Sequence, residues 1–121
     1  MVSRETFPNN RTNLSPDFVA GIISVSGTFI HIHTPRVEQF GFQIKMPREN
    51  QELLKLVGKA LGIPNKVAVY NESNTHFAVL ITRSRKTLVN KIIPFLDSRL
   101  LGIKLKHYLQ WKDDMIKLSN H

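Results

Sequence analysis

The sequence predicts an α+β fold in which four strands pair as an antiparallel sheet and helices pack on it. Two observations lead to this prediction. Apolar residues recur at helical spacing in two segments of the chain, and start signals mark two further helices. Two further pairs of segments are rich in β-branched and aromatic residues, and a short connection joins the members of each pair, as in a hairpin. The predicted order is therefore α-β-β-α-β-β-α-α.

The first helix is predicted from its capping residues. Ser15 can cap the helix N-terminus, and Pro16 suits the first helical position because its missing N–H is not needed there. Asp17 favours the positive end of the helix dipole. The helix should run to about Val25 and end at Gly27.

Two hairpins are predicted from alternating patterns. Residues 28–34 and 38–46 form the first, around Pro35, and residues 66–70 and 75–83 form the second. In the second strand of each hairpin the side chains alternate, so one face belongs to the core and the other to solvent or a ligand. The predicted core faces hold Phe40, Phe42 and Ile44 in one strand and Phe77, Val79 and Ile81 in the other.

Three more helical segments complete the pattern. Residues 50–61 form an amphipathic helix that ends at a Gly-Ile-Pro stop signal. Residues 86–95 have apolar side chains at helical spacing, and a last helix covers residues 103–118 after Gly102.

The composition of the chain indicates which classes of partner it can bind. The 121 residues suit one domain, predicted at residues 15–121, after a polar N-terminal extension at residues 1–14. Seventeen Lys and Arg against nine Asp and Glu give a net charge of +8, which attracts phosphate backbones. No apolar run reaches the ~18 residues that span a bilayer, and no secretion signal is evident. Without cysteine, disulfides and thiol catalysis are excluded. We expect a nucleic-acid partner, no membrane partner and an intracellular location, with mitochondria and chloroplasts among the compartments that fit.

The segment FVAGIISVSGTF, residues 18–29, resembles the signature of the LAGLIDADG homing endonuclease family, with residues 19–27 in its nine motif positions. Further along, residues 92–96 and 100–104 resemble the family's C-terminal pattern, in which a Gly-x-Lys step precedes an aromatic helix. The resemblance spans residues 15–118. It implies an αββαββα core with the motif helix first and a saddle-shaped antiparallel sheet.

The resemblance also implies pairing. In that family the motif helices of two modules pack together, and small residues let their backbones approach closely. Ala20, Gly21 and Ser24 keep this small size. The chain is therefore expected to form a homodimer or to pair with another module. The alternative is that Ala20 and Gly21 pack against their own sheet.

The sequence departs from the family at the positions that perform the chemistry. The resemblance implies an acidic residue at the eighth motif position, where it binds divalent metal and activates water. That position holds Ser26, and the sixth holds Ser24. Lys104 matches the family's basic residue near the cleavage site, whereas Met46 stands at a usually polar position. We expect no catalytic residue, no metal site and no cofactor; Mg²⁺ is required only if the chain is an active endonuclease.

One face of the sheet is implied to contact nucleic acid, with alternate side chains at base edges. The predicted face includes Ile30 and Ile32 from the first strand and His76, Ala78, Leu80 and Thr82 from the last. Basic residues of the C-terminal third are expected to hold the backbone, unless they form only a solvated helix face. The predicted nucleic-acid-binding residues are Gln39, Gln43, Lys45, His76, Arg83, Arg85, Lys86, Lys91, Arg99, Lys104 and Lys106.

Other residue types offer weaker signals. His31 and His33 lie two apart on one strand, but the sequence shows no third metal ligand beside them, so a packed or solvent-facing pair is predicted. Tyr70, Tyr108 and Trp111 are candidates for stacking on bases, although core packing is the better interpretation for Trp111.

Three functions are consistent with these observations. The first is a catalytically inactive LAGLIDADG-derived protein that binds structured RNA, such as intron or ribosomal RNA, or duplex DNA, with ribonucleoprotein proteins as further partners. The second is an active homing endonuclease that cleaves double-stranded DNA with divalent metal. The third is a protein-interaction module whose apolar sheet face binds another protein.

Overall fold

The computed structural model of the protein describes residues 14–63, 67–72 and 75–119. The predicted N-terminal extension, apart from Leu14, and the first residue of the predicted third strand lie outside these ranges. Helix α1, Pro16–Ser26, leads into strands β1, Gly27–His33, and β2, Glu38–Pro47. A 3₁₀ turn at Arg48–Asn50 precedes helix α2, Gln51–Leu61, and strands β3, Ala68–Glu72, and β4, Thr75–Thr82. The helical C-terminal part comprises α3, Arg85–Thr87, a π-helical turn, Leu88–Ile92, α4, Ile93–Leu96, and α5, Gly102–Ser119.

This order confirms the predicted fold class. The segment predicted as one helix at residues 86–95 is helical but changes between α and π geometry. Pro94 lies in the first turn of α4, where its missing N–H removes a donor from a continuous α-helical ladder.

The predicted cap of α1 is present. The Ser15 hydroxyl accepts a hydrogen bond from the Phe18 backbone N–H at 3.2 Å. At the other end the chain turns from helix to strand at Gly27 with no intervening loop. A Cβ on Gly27 would lie 2.8 Å from both the carbonyl oxygen and Cγ2 of Ile23. The close approach of the backbone to Ile23 therefore requires glycine here.

The four strands form one antiparallel sheet in the order β1-β2-β4-β3. Strand β2 is central and pairs with β1 along the first hairpin, and β4 pairs with both β2 and β3. Strand β1 starts at the C-terminus of α1 and ends at the hairpin of residues 34–37. The sheet therefore extends from the end of α1 at one side to this hairpin at the other.

The helices cover one face of the sheet. Trp111 of α5 is 4% exposed and donates its indole N–H to the backbone carbonyl of Ile30, which anchors α5 on β1. The rings of Phe29, Tyr108 and Trp111 are in mutual contact, with centroids 5.0 to 6.1 Å apart. The core between helices and sheet includes Val19, Ile23, Phe42, Ile44, Leu54, Val57, Leu80, Leu88, Ile92, Leu96, Tyr108, Trp111 and Met115. Among the described helices, none is long and apolar enough to cross a membrane.

Candidate nucleic-acid interface and motif helix

The face of the sheet opposite the helices forms a groove of about 270 Å³. Residues directly paired across an antiparallel ladder point to the same side of the sheet. Gln43 pairs with Ile81, and Lys45 pairs with Val79, so polar side chains of β2 stand next to apolar side chains of β4. The residues that line this open-face groove are Gln43, Lys45, Tyr70, Phe77, Val79, Ile81 and Arg83.

The predicted faces of β4 were therefore wrong. Leu80 pairs with Ile44, and Thr82 pairs with Phe42, so the set containing His76, Ala78, Leu80 and Thr82 faces the helices. Leu80 and Thr82 are each 1% exposed. His76 falls in this set by alternation along β4, but it is exposed and lies beyond the residues that pair with β2, so its contact with nucleic acid stays a prediction. Both sets of β4 are largely apolar, so alternation alone does not indicate which one is buried.

The open-face groove combines an apolar floor with cationic and polar sides. The Lys45 ammonium stands 4.0 Å from the centroid of the Phe77 ring, a cation–π distance. Tyr70 is half exposed, whereas Val79 is only 7% exposed. Aromatic rings can stack on bases, and the neighbouring ammonium and guanidinium groups can bind phosphate. The amide of Gln43 can donate and accept hydrogen bonds, and the apolar floor supplies no such groups.

The motif helix α1 has a buried and an exposed side. Val19, Ala20 and Ile23 are at most 4% exposed, and they lie against the chain's own core. The prediction that Ala20 contacts a partner was therefore wrong, because its side chain is buried in the core of its own chain. Ser24 is half-buried and donates its hydroxyl proton to the Ala20 carbonyl at 2.9 Å. Of the three predicted contact residues, Gly21 alone is exposed.

The exposed side of α1 is an apolar stripe. Its residues recur at helical spacing of three and four, and a shallow groove of about 500 Å³ runs along it. Phe18 is 45% exposed and Val25 is 83% exposed. A Cβ added to Gly21 would meet no atom within 4 Å, so the surface above this residue is open. We name Phe18, Gly21, Ile22 and Val25 the α1 stripe.

The C-terminal end of α1 is occupied by two polar groups. Ser26 is half-buried and lies beside Met46 at the edge of the groove along α1. The Lys104 ammonium, from α5, donates a hydrogen bond to the carbonyl oxygen of Gly27. Lys104 is thus brought to the end of the motif, as the resemblance implied.

A sequence profile described as LAGLIDADG endonuclease matches residues 19–115, most of the chain. The chain belongs to the LAGLIDADG endonuclease family. The matched region begins at Val19, the first position of the motif, and ends at Met115 in α5. No curated protein sequence matches the chain.

Solved LAGLIDADG structures share the fold. The homing endonuclease I-GzeII in complex with its DNA target has a TM-score of 0.79 at 23% identity, over 100% of this chain and 43% of that one. The meganuclease I-SmaMI bound to uncleaveable DNA has a TM-score of 0.74 at 22% identity, over 89% of this chain and 38% of that one. The homing endonuclease I-TnaI has a TM-score of 0.74 at 20% identity, over 89% and 76%. The chain thus spans less than half the length of I-GzeII and I-SmaMI.

The donor set at the end of the LAGLIDADG helix does not fit Mg²⁺. This ion needs near-octahedral oxygen ligands, including one or two carboxylates. Ser26 offers a neutral hydroxyl, and the positive charge of Lys104 at the Gly27 carbonyl opposes a cation there. Among the described residues that line the adjoining groove, the one carboxylate belongs to Asp17. Asp17 precedes Ser26 by nine residues in α1, or about 13 Å along the axis.

Most basic residues predicted to hold a nucleic-acid backbone lie on the helical layer of this LAGLIDADG fold. Arg85 donates to the Met115 carbonyl at 3.3 Å, and Arg99 donates to the Phe95 carbonyl at 2.6 Å. The first contact joins α3 to α5, and the second joins the loop after α4 to α4. The predicted residues on the helical layer are Arg85, Lys86, Lys91, Arg99, Lys104 and Lys106. Those on or beside the open face are Gln39, Gln43, Lys45 and Arg83.

The aromatic residues considered for stacking on bases also lie in two places, the core and the open face. Tyr108 is 1% exposed, and its hydroxyl donates to Asp97 at 2.6 Å. Burial, and then this hydrogen bond, raises the pKa of Tyr108 well above its usual range. Tyr108 and Trp111 therefore belong to the core, as predicted for Trp111. Tyr70 remains at the open-face groove.

The hairpin between β1 and β2 brings together a cluster that the sequence did not indicate. The imidazoles of His31 and His33 both contact the carboxylate of Glu38, one on each oxygen. These hydrogen bonds, first that of His31 and then that of His33, hold the pKa of Glu38 below its usual value. His33 pairs directly with Glu38 across the hairpin. The register of this short hairpin was the signal that would have identified the third member.

Proposed function

We propose that this chain is a nucleic-acid-binding LAGLIDADG module that pairs with a second module and does not hydrolyse its target. The observation that supports binding most directly is the open-face groove, where Lys45, Arg83 and Gln43 surround an apolar and aromatic floor. The resemblance to the family implies that this face of the sheet contacts nucleic acid. The similar structure of I-GzeII was solved in complex with its DNA target.

The groove suits backbone and shape recognition better than base reading. Lys45 and Arg83 supply charge for phosphates, whereas Phe77, Val79 and Ile81 supply no hydrogen bonds. Double-stranded RNA is recognised mainly by shape and phosphate contacts, so structured RNA fits this surface as well as duplex DNA does. The net charge of +8 adds a long-range attraction to either polymer.

Pairing is supported by the α1 stripe. Phe18 and Val25 are large apolar side chains with high exposure, and Gly21 lies between them without a side chain to block a close approach. A second copy of this chain presents the same stripe, so a two-fold pairing buries both stripes at once.

Salt-dependent binding tests the nucleic-acid assignment. A 30-base-pair DNA duplex and an RNA hairpin are titrated with protein between 50 and 200 mM salt, and the slope of log affinity against log salt is measured. Replacing Lys45 and Arg83 together by Gln should reduce the DNA slope by about 1.8, since each phosphate contact contributes ~0.9. The matched control replaces Lys55 and Lys59 of α2, which also removes two charges.

Two outcomes contradict this part of the proposal. One is the absence of affinity for both probes at 50 mM salt. The other is an equal change of slope in the open-face variant and in the α2 control, because binding would then follow net charge rather than the groove.

The alternative of an active endonuclease is favoured by family membership itself. The DNA duplex that the protein binds most tightly in a randomised set is incubated with Mg²⁺, and the unaltered protein is compared with Ser26→Asp. We expect no cleavage by the unaltered protein, because Ser26 provides no carboxylate for the metal. Robust cutting by the unaltered protein would overturn the proposal.

The alternative of a protein-interaction module is favoured by the apolar floor of the open face. Phe77, Val79 and Ile81 form that floor. A protein contact on this floor depends on apolar burial, so its affinity changes little with salt, in contrast to phosphate binding.

A further inference from the structure

We propose that His31, His33 and Glu38 form a binding site for a transition-metal ion of the zinc class at the β1–β2 hairpin. The site is independent of the proposed nucleic-acid function. One donor atom from each residue, two imidazole nitrogens and a carboxylate oxygen, lies within 4.8 Å of the other two. Two histidines and one carboxylate are a ligand set that catalytic and other open zinc sites use, with water at the remaining position.

The hairpin holds these ligands in register. His33 is directly opposite Glu38, and His31 lies two residues back on the same face of β1. Thr34 and Val37 close the turn with reciprocal backbone hydrogen bonds of 2.8 and 3.3 Å. The Thr34 hydroxyl also accepts from the Val37 N–H at 2.9 Å. The three ligands are therefore presented by a closed turn, and little chain entropy is lost when an ion binds.

The His31 ring is also oriented from two further sides. It stacks on Phe40, with ring centroids 4.2 Å apart and an interplanar angle of 15°. Its Nε2 contacts Glu38, while its Nδ1 faces an oxygen of Asp114 at 3.7 Å. The other oxygen of Asp114 accepts from Gln110 at 2.9 Å. A carboxylate behind a metal-binding histidine sets the ring tautomer and raises its basicity.

The three donor atoms lie near enough to one another for small side-chain rotations to bring them to one ion. Ligands at about 2.0–2.1 Å from a tetrahedral zinc stand about 3.4 Å apart. The side chain of His33 is 70% exposed, so it can rotate by the ångström needed with little loss of packing. Its exposure also leaves the outer side of the ion open to water.

Donor type and position distinguish this site from the end of α1. Imidazole nitrogens favour zinc, copper and nickel over Mg²⁺, which prefers oxygen. His33 lies six residues after Gly27 along β1, or about 20 Å away. The hairpin site is therefore separate from Ser26 and Lys104.

Titration of metal into the protein tests the proposal. Untagged protein freed of metal with a chelator is titrated with Zn²⁺ by calorimetry and with Co²⁺ by visible absorption. We expect one equivalent to bind with an affinity on the order of 10 µM or tighter. Mg²⁺ should not compete at millimolar concentration.

Substitutions of the proposed ligands test whether the ion binds at this hairpin. His31→Gln and Glu38→Gln should each weaken Zn²⁺ binding at least about tenfold, and Asp114→Asn, behind His31 at 3.7 Å, should weaken it less than either. The matched control is His76→Gln, which removes a histidine from β4 and should leave the affinity unchanged. Circular dichroism of the metal-free variants verifies that they are folded. Absence of saturable binding, or full binding retained in folded His31→Gln, would overturn the proposal.

Discussion

The Lys104 ammonium donates a hydrogen bond to the backbone carbonyl of Gly27, across 77 residues of sequence. This contact joins α5 to the last position of the LAGLIDADG motif, beside Ser26. A positive charge thus stands next to the position where an acidic family member would hold a metal. In this chain Lys104 supports the junction of α1 and β1.

Replacing Lys104 by Met tests that structural role. Removal of the donor leaves the carbonyl of a buried residue without this partner, which should lower the free energy of unfolding by about 1–3 kcal/mol. Urea unfolding measures the change. Lys106→Met, an exposed position on the same helix, should stay within about 0.5 kcal/mol. Equal effects of the two changes would contradict the role given to Lys104.

Gly27→Ala tests the close approach at the start of β1. The new Cβ would lie 2.8 Å from the Ile23 carbonyl oxygen, so the helix end must shift. We expect a loss of about 1–3 kcal/mol in thermal or urea unfolding. Gly21→Ala is the control at protein concentrations too low for chains to pair, because its Cβ meets no atom of its own chain within 4 Å. In mid-helix it should stabilise the chain by about 0.5–1 kcal/mol. A neutral Gly27→Ala would show that the junction tolerates a side chain.

Val25→Glu tests pairing through the α1 stripe. Val25 is 83% exposed, so the change should leave the fold of one chain intact. A buried charge at the paired stripes should weaken self-association at least tenfold, or by about 1.4 kcal/mol. Sedimentation equilibrium measures the association. Val89→Glu, at another exposed valine, is the control. A chain that stays monomeric before any substitution would exclude the homodimer.

Ionisation of the Asp97 carboxyl group should make the free energy of unfolding depend on pH in the acid range. Partial burial raises its pKa, but hydrogen bonds from Lys112 and Tyr108 outweigh this effect and lower it below the ordinary 3.8. The folded pKa is thus below the unfolded one. The stability that Asp97 contributes is complete above the unfolded pKa, and it is lost as pH falls through the folded value.

Asp97→Asn checks this dependence. The variant should be less stable than the unaltered protein at pH 6, and the difference should shrink steadily below about pH 4. Urea unfolding at a series of pH values measures both curves. Parallel curves down to pH 2 would show that the carboxylate makes no ionisation-dependent contribution.

Local signals in the sequence predicted much of the fold. The cap at Ser15, the glycine at residue 27 and the helical spacing of apolar residues act over one or two turns of chain, so they can be recognised without a structure. The motif at residues 19–27 identified the family, and the loss of its acid at Ser26 was visible in the sequence alone.

Other features depend on which side of an element is covered. The buried face of β4 was predicted wrongly because the side chains on both faces of that strand are mostly apolar. The register of β4 with β2 shows which face is buried. Ala20 was assigned to the partner contact because its small size is compatible with either side of α1. The structure places it in the core, one position from the exposed stripe.

By itself, the sequence determined the order of the elements, the basic charge, the family motif and the absence of its acidic residue. Only the tertiary structure decided the open face of the sheet, the Lys104–Gly27 contact and the grouping of Glu38 with His31 and His33. The physical reason is that the first set depends on neighbours in the chain. The second depends on strand register and helix packing, which join residues that are distant in sequence or leave one of two equivalent faces exposed.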